Sequence, residues 1–300
     1  MIAVTILGNN SAVPSHNRHP TAQVLQTAEQ LILIDCGEGT QMQMSRYKIK
    51  RSRINHIFIS HLHGDHYFGL IGLLNSLALN NRLTDLHIYA PEKLQSIIEI
   101  QTDAAGSGFP FRMFFHKIDK EEILFEDKKL SVECFAVNHR IECWGFLFKE
   151  KKNHRKINID KIKNYKVPKQ FYENLHRGED YINEKNEVIK NDLLTIPVDP
   201  PKSYAYCADT AFYEPIAEKI KGVDLMYHES TYLADLEKKA QLRFHSTSKQ
   251  AAKIAEKAGA KKLLLGHFSS MYETLEKFKE EACEIFENTE IAEEGTCYLA

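Results

Sequence analysis

The stretch that decides the fold reads HIFISHLHGDHYFGLIGLLNSLAL and occupies residues 56–79. It opens with an apolar, β-branched run typical of a buried strand and closes with the apolar spacing of a helix. The turn between them carries four potential metal ligands, His61, His63, Asp65 and His66. Imidazole and carboxylate without thiolate suit zinc or a similar divalent ion. The stretch therefore predicts a metal-binding turn at a strand end, whereas an isolated histidine would more often be an ordinary hydrogen-bonded residue.

One turn cannot enclose two metal ions, so further ligands are expected at other strand ends. Three residues fit this expectation: His139 follows LSVECFAVN, Asp209 follows SYAYCA, and His267 follows KKLLLG. A buried carboxylate or imidazole must be paired or bound to a metal. Taken singly, each residue is explained as well by ordinary pairing as by metal binding. Their shared position after strands favours a joint site.

Strand-like and helix-like segments alternate along the chain. Short β-branched and aromatic runs such as IAVTIL, QLILID and VDLMYH are separated by amphipathic stretches, at 67–80, 91–102, 211–220, 246–258 and 273–286. The clearest helix start is a capping box from Thr247 to Gln250, which opens a helix ending at Gly259 and places His245 just ahead of it. This alternation predicts an α/β layered fold.

The segment 151–195 departs from the composition of the rest of the chain. The whole sequence has a net charge of -2, yet this segment contains 11 Lys and Arg residues against 7 Asp and Glu residues. We interpret it as a basic arm inserted into one domain formed by residues 1–150 and 196–300. Its lysines are interleaved with Tyr165, Phe171 and Tyr172, which suits phosphates and nucleobase faces. The alternative is an ordinary solvated loop, which most lysine-rich segments are.

Length and composition are those of an ordinary globular protein, with 300 residues, 43% apolar and 27% charged. No apolar run approaches the roughly 18 residues of a membrane span, and the N-terminus lacks the features of a signal peptide. The six cysteines are scattered without a close pair, so we expect them to be reduced. We therefore expect a cytoplasmic protein with no membrane partner.

The order of these candidate ligands resembles the signature of the metallo-β-lactamase superfamily: H-x-H-x-D-H (61–66), a distant His139, A-D-T (208–210) and G-H (266–267). The resemblance implies an αββα sandwich with metal ions at one edge. It implies that His61, His63 and His139 hold a first zinc ion, that Asp65, His66 and His267 hold a second, and that Asp209 bridges them. Two such ions activate a water and stabilise charge on a phosphoryl oxygen, so hydrolysis is implied. Asp65 would orient or deprotonate that water.

Features outside the ligand set resemble one branch of this superfamily, the short-form ribonuclease Z family. They are LGNNSAVP at 7–14, IDCGEGTQ at 34–41, H-E-S-T at 228–231, H-S-T at 245–247 and G-E-D at 178–180. In this family an inserted arm clamps the elbow of tRNA. The resemblance also implies that Glu229 keeps His245 protonated, and that His245 gives a proton to the departing ribose oxygen. The other interpretation of Glu229 is a hydrogen-bonded pair with His228.

The resemblance implies a zinc-dependent endoribonuclease that removes the 3′ trailer from precursor tRNA, cutting after the discriminator and leaving a 3′-hydroxyl. It implies a homodimer with two Zn2+ per subunit, and Mn2+ or another divalent ion is the alternative. Two departures are Met271, where an arginine is usual, and an arm tip reduced to Val167-Pro168. The loss of that arginine predicts weaker phosphate binding, compensation by Arg18 or Arg46, or an altered substrate. The rival functions are a two-metal phosphodiesterase acting on small phosphodiesters and a non-catalytic metal-holding or RNA-binding scaffold.

Overall fold

The computed structural model describes residues 1–106, 108–151 and 154–300. Lys152 and Asn153, near the start of the predicted arm, lie outside the described residues. The chain divides into two compact units, one formed by Met1–Lys149 with Lys202–Ala300 and the other by Glu150–Pro201. Within the described ranges, no helix is both long enough and apolar enough to cross a membrane.

The larger unit contains two seven-stranded sheets. The first consists of β1 (Ala3–Gly8), β2 (Ala22–Gln26), β3 (Leu31–Ile34), β4 (Ile54–Phe58), β5 (Leu86–Ala90), β6 (Met113–Lys117) and β18 (Cys297–Leu299), in the order β18-β1-β2-β3-β4-β5-β6. The second consists of β7 (Ile123–Glu126), β8 (Leu130–Ala136), β9 (Trp144–Glu150), β14 (Ser203–Cys207), β15 (Leu225–Glu229), β16 (Leu263–Gly266) and β17 (Thr289–Ile291), in the order β17-β16-β15-β14-β9-β8-β7.

Helices cover the outer face of each sheet. Their bounds are α1 (Thr40–Arg46), α2 (Gly64–Tyr67), α3 (Leu70–Leu79), α4 (Lys93–Ala104), α8 (Pro215–Lys219), α9 (Glu237–Arg243), α10 (Ser248–Ala258) and α11 (Glu276–Cys283). Helices α1, α3 and α4 pack on the first sheet, and α8, α10 and α11 pack on the second. Aromatic side chains such as Phe58, Phe146 and Tyr204 fill the space between the sheets. The predicted αββα sandwich is therefore confirmed.

The parallel parts of the sheets explain where polar side chains gather. Strands β14, β15 and β16 are parallel neighbours, as are β3, β4 and β5. Parallel neighbours need a crossover connection, which helices supply, and their carboxyl ends meet at one edge of the sheet. The predicted capping box is present at the start of α10: Thr247 accepts from the Gln250 backbone, and the Gln250 side chain accepts in return. The helix ends at Gly259 in the left-handed conformation, as predicted.

The smaller unit has its own elements and its own apolar core. It contains β10 (Lys156–Ile157), α5 (Ile159–Asn164), α6 (Tyr172–Arg177), β11 (Tyr181–Ile182), β12 (Val188–Ile189), α7 (Asn191–Leu194) and β13 (Thr195–Ile196). Strands β10 and β13 pair antiparallel, which brings the two ends of the unit together. The buried side chains of Ile162, Val167, Leu175, Ile189 and Leu194 form the core. The role of this unit as an RNA-binding arm stays a prediction.

Candidate metal centre and active site

The candidate ligands lie on loops that follow strands of both sheets. In the first sheet, β4 ends at Phe58, and the chain then presents His61 and His63 before α2 begins. In the second sheet, Asp209 follows β14 and His267 follows β16, two strands that flank β15. His139 comes after the end of β8. The α/β layering thus brings residues from distant parts of the chain to one place, although adjacent residues of the turn alone were enough to suggest the site.

The candidate ligands form two groups joined by one carboxylate. His61, His63, His139 and Asp209 form one group, Asp65, His66 and His267 form another, and within each group the ligand atoms lie within 4.8 Å of one another. Asp209 Oδ2 lies 3.6 Å from His61 Nε2 and 4.0 Å from His139 Nε2. Asp209 Oδ1 lies 3.1 Å from His267 Nε2 and 3.4 Å from His66 Nε2. Asp209 therefore directs one oxygen at each group, which is the arrangement expected of a bridging ligand.

The chemistry of this donor set fits divalent cations. His66 Nε2 faces His267 Nε2 at 3.3 Å, and His61 Nε2 faces His63 Nδ1 at 3.0 Å, so ring nitrogens converge in pairs. Among the described residues, Asp209 Oδ1 has no hydrogen-bond partner although it is buried. Burying such an atom unsatisfied costs about 1–3 kcal/mol. A cation bound in each group would satisfy both the nitrogens and this oxygen, so the residues could hold divalent metal ions.

The outward nitrogens of three candidate ligands, His66, His139 and His267, are fixed by hydrogen bonds. His66 Nδ1 donates to Asp35 Oδ2 at 2.7 Å, and His139 Nδ1 donates to the Phe244 carbonyl oxygen at 2.9 Å. His267 Nδ1 lies 2.9 Å from Thr231 Oγ1. Such partners set the tautomer and the orientation of a metal-binding imidazole. The inward nitrogen of each ring is left for the cavity.

Asp35 belongs to the candidate site and was missed by the sequence reasoning. It is fully buried and accepts hydrogen bonds from His66, from the Tyr206 hydroxyl, and from both the backbone and the side chain of Ser60. The motif at 34–41 indicated a family resemblance but no role for Asp35. The available signal was a carboxylate directly after the buried strand β3, which is unusual unless the charge has partners.

Glu229 and His245 form the second functional pair. His245 Nδ1 lies 2.9 Å from Glu229 Oε1, and Glu229 also accepts from the backbone N–H groups of Thr210, Thr231 and Ser246. Burial lowers the pKa of His245, but the charge and hydrogen bond of Glu229 outweigh it and raise the pKa to about 9. Burial raises the pKa of the Glu229 carboxyl, yet the charge of His245 brings it below its usual value. His245 is therefore protonated near neutral pH.

His228 does not form a hydrogen bond with the Glu229 carboxylate. His228 is buried and directs Nδ1 at the backbone carbonyl oxygen of Glu229, 2.6 Å away, not at its carboxylate. Residues 228 and 229 alternate along β15, so their side chains point to opposite faces of the sheet. The Glu229 carboxylate is thereby left for His245.

The N-terminal loop that contains Ala12 and Arg18 makes one hydrogen bond to a candidate ligand, and its arginine binds other parts of the protein. The Ala12 N–H donates to Asp65 Oδ2 at 2.7 Å, which holds that carboxylate in place. Arg18 donates to Asn10 Oδ1 at 3.0 Å, to the Glu273 carbonyl at 2.9 Å and to the Tyr272 carbonyl. Each of its three guanidinium nitrogens therefore binds the protein, and compensation by Arg18 for the arginine missing at Met271 stays a prediction.

A cavity of about 540 Å³ opens onto the two ligand groups. Its polar lining includes the candidate ligands His63, Asp65, Asp209 and His267 together with His245. Three cationic residues, Arg140, Lys239 and Arg243, also line it. The cavity therefore combines candidate ligands, a protonated imidazole and positive charge, which suits the hydrolysis of an anionic substrate.

The fold and the site together define a metallo-β-lactamase-fold hydrolase. The chain superimposes on human tRNase Z, short form, with a TM-score of 0.72 and 25% identity, covering 99% of this chain and 98% of that one. It also superimposes on the metallo-β-lactamase fold protein YhfI from Bacillus subtilis, with a TM-score of 0.70, 17% identity, and coverage of 99% and 98%.

Sequence relatives extend over almost the whole chain. Ribonuclease Z of Parabacteroides distasonis is 44% identical and ribonuclease Z of Bacteroides fragilis strain YCH46 is 42% identical, each over 97% of both chains. The family model described as "Anti-Pycsar protein Apyc1" matches residues 2–178. The chain belongs to the ribonuclease Z family and to the family that the Apyc1 model describes. As predicted, it is an enzyme of the ribonuclease Z type, an endoribonuclease and thus a hydrolase.

Proposed function

We propose that this enzyme removes the 3′ trailer from precursor tRNA by a zinc-dependent cut after the discriminator, leaving a tRNA 3′-hydroxyl. The observation that carries the proposal is Asp209, which directs one oxygen at each of two histidine groups beside the Glu229–His245 pair. Relatives named ribonuclease Z over 97% of the chain support the substrate, as does the likeness to human tRNase Z, short form.

Two zinc ions are the proposed cofactors, with Mn2+ or another divalent ion as the alternative. His61, His63 and His139 would hold the first ion, Asp65, His66 and His267 the second, and Asp209 both. When bound, the ions would lower the pKa of an attacking water and stabilise the charge that grows on the phosphoryl oxygen. Burial helps two of the ligands: it lowers the pKa of His63 to about 4 and that of His61 well below its usual value, so both rings stay neutral and able to bind.

The protein groups divide the proton chemistry between them. The Asp65 carboxylate, oriented by the Ala12 N–H, would accept a proton from the attacking water. His245 Nδ1 forms a hydrogen bond with Glu229 Oε1. The other ring nitrogen, Nε2, is left to donate a proton to the departing ribose oxygen. Because Glu229 is fully buried and keeps its charge, it holds the imidazolium ready for this step.

The smaller unit is the proposed tRNA-binding arm. Lys161, Lys163, Lys166 and Lys169 are exposed, and Tyr165 is exposed among them. No carboxylate of the described residues pairs with any of these four lysines, in contrast to Lys190, which pairs with Asp180 at 2.8 Å. Unpaired lysines beside an aromatic ring suit the backbone and bases of a folded RNA, recognised by shape. We assign them to the elbow of tRNA.

Homodimer formation and a cytoplasmic location are part of the same proposal. Both rest on the family to which the chain belongs. Sedimentation velocity on the purified enzyme tests the first, because a monomer at micromolar concentration would contradict it. Fractionation of cells that produce the native chain tests the second.

A second candidate is a phosphodiesterase that acts on small phosphodiesters. The cavity of about 540 Å³ favours it, since that volume is typical of sites for small molecules. The same metal centre and the same proton donor would serve both reactions, so only the substrate differs.

The deciding experiment uses a precursor tRNA with a 3′ extension, cut by the zinc-loaded enzyme, with the new end mapped. A single cut after the discriminator that is lost in Asp65→Ala supports the proposal. An enzyme that leaves the precursor intact but hydrolyses a small phosphodiester supports the second candidate.

A further inference from the structure

Two cations of α9 face the active-site cavity without an acidic partner. Lys239 and Arg243 lie one helical turn apart, so their side chains emerge on the same face of the helix. Both line the cavity that contains the candidate metal ligands. No carboxylate of the described residues forms an ion pair with either of them. By contrast, Lys249 and Lys257 on neighbouring α10 each pair with a glutamate, at 2.5 and 2.6 Å.

Lys239 is held at the rim of the cavity by contacts with an aromatic ring and a sulfur atom, not by ion pairs. Its Nζ lies 5.0 Å from the centre of the Tyr232 ring, at the distance of a cation–π interaction, and 3.8 Å from the Met271 sulfur. Tyr232 itself is buried, so the ring is a fixed platform. The charge of Arg243 also reaches this ring, where it opposes the effect of burial on the pKa of the Tyr232 hydroxyl. The two cations therefore belong to one local cluster.

The chemistry of the cavity indicates which anion this cluster binds. The candidate metal centre lies on the side of Asp65 and Asp209, where the phosphate to be cut would be placed. A polynucleotide brings further phosphates on either side of that one, and each needs a cation at the cavity wall. Lysine and arginine are the usual partners of such phosphates.

We propose that Lys239 and Arg243 bind an RNA phosphate adjacent to the one that is cleaved and so position the strand across the metal centre. This inference rests on the proposed function in requiring a polynucleotide, since a small phosphodiester has no second phosphate. Lys239 Nζ lies 3.8 Å from the Met271 sulfur. Helix α9 therefore places a positive charge beside residue 271 of the loop.

The test compares Lys239→Gln, Arg243→Gln and the double variant with Lys238→Gln. Lys238 is the matched control, since it is an exposed lysine of the same helix that does not line the cavity. For a single-stranded RNA ligand, each removed contact should lower the slope of log binding constant against log salt by about 0.7. Each cavity variant should also raise KM for the RNA substrate about tenfold, as expected on losing a hydrogen bond to a charged group.

Hydrolysis of a small chromogenic phosphodiester by the zinc-loaded enzyme reports on the metal centre alone. The Lys239 and Arg243 variants should lose much less of that activity than of RNA processing, because a small phosphodiester has no second phosphate. The inference is wrong if Lys238→Gln has the same effect on KM and salt slope as Lys239→Gln. It is also wrong if the small substrate loses activity by the same factor as RNA.

Two further arms keep the inference separate from the proposed function. In the Lys239→Gln background, Met271→Arg should restore most of the salt slope, because the arginine would occupy the space that Lys239 leaves. If the parent enzyme does not process precursor tRNA but its RNA affinity still depends on Lys239 and Arg243, the proposed function fails and the inference stands. If the parent processes precursor tRNA and both variants behave like Lys238→Gln, the inference fails alone.

Discussion

The candidate metal centre and the basic unit at Glu150–Pro201 place polar groups in opposite ways. In the metal centre the polar side chains are buried or half-buried, and one side chain serves several partners, as Asp209 does between two ligand groups. In the basic unit the lysines of α5 and the following loop stand apart in solvent around a core of five apolar residues. A network of shared atoms fails when one member is lost, whereas scattered surface charges act almost independently. The two regions should therefore respond to substitution on very different scales.

The largest effect is expected where one residue belongs to both ligand groups. Asp209→Asn keeps the shape of the side chain but removes the charge that would bridge two cations. We expect the bound zinc to fall below two per chain and kcat to fall about 10⁴-fold or more, on precursor tRNA and on a small phosphodiester alike. Metal analysis of the dialysed protein with parallel kinetics measures both. Full activity with two zinc ions retained would remove Asp209 from the centre.

A smaller loss is expected from the proton donor, since it binds no metal in the proposed arrangement. His245→Ala should lower kcat on RNA about 10³-fold, within the range of general acid catalysis. The zinc content should stay at the parent value, in contrast to Asp209→Asn. A substrate whose leaving group needs no proton, such as a nitrophenyl ester, should lose much less. An equal loss on both substrates would show that His245 supports the structure and not the proton transfer.

Removal of the basic unit should spare the chemistry and affect only the large substrate. Strands β10 and β13 pair Ile157 with Thr195, so residues 158–194 can be replaced by Asn-Gly across that pair as a two-residue hairpin turn. We expect kcat on a small phosphodiester to stay within about twofold and kcat/KM on precursor tRNA to fall about 10²-fold. As a control, Lys163→Gln alone should change kcat/KM on precursor tRNA by less than about threefold, because surface charges act almost independently. A truncated enzyme that processes precursor tRNA normally would reduce the unit to a solvated insertion.

A smaller effect, on stability, is expected from the buried histidine His56, which lies in the larger unit outside the metal centre. His56, His87 and His116 stack across β4, β5 and β6 with ring centres 5.2 Å apart. Burial, reinforced by the neighbouring charges of His87 and His116, lowers the pKa of His56 to about 4. As the pH falls below the ordinary value near 6.5, the unfolded chain takes up a proton that folded His56 refuses. Stability is therefore lost between about pH 6.5 and 4.

Urea denaturation of the parent and His56→Gln isolates this contribution. Between about pH 7.5 and 5 the parent should lose about 2 kcal/mol of unfolding free energy more than the variant does. Metal release on acidification affects both proteins equally and cancels in the difference. Parallel pH profiles of the two proteins would show that His56 does not carry the effect.

The same contrast explains how much could be predicted from the sequence. Four candidate ligands lie within the turn 61–66, and the other three follow recognisable apolar strands, so all seven were named before the fold was known. Asp35 was missed because its role depends on Tyr206 and His66, which reach it only in three dimensions. The cations at Lys239 and Arg243 were missed for the same reason, since nothing in a charged helix says which face borders a cavity. Composition predicted the basic unit, but no periodicity in its sequence predicted its small apolar core.

Strand prediction shows a similar limit. The apolar runs of β3, β4 and β16 are short but uninterrupted and were recognised. The strand AQVLQ at Ala22–Gln26 alternates with polar Gln23, which is fully buried and accepts a hydrogen bond from Tyr204. A buried glutamine with a partner from the other sheet looks like a surface position in sequence. Tertiary contacts decided its burial.

The backbone of His267 carries a consequence for the evolution of the protein. This residue has a φ of 60°, in the left-handed region that residues other than glycine adopt uncommonly, and Asp35, which binds His66, has a φ of 52°. Holding such residues costs about 1 kcal/mol or more each. A selection for thermostable variants would therefore favour glycine or asparagine at position 267. The selected proteins would be more stable but would lack one of the proposed metal ligands. Screens for robustness in this family need a selection for turnover at the same time.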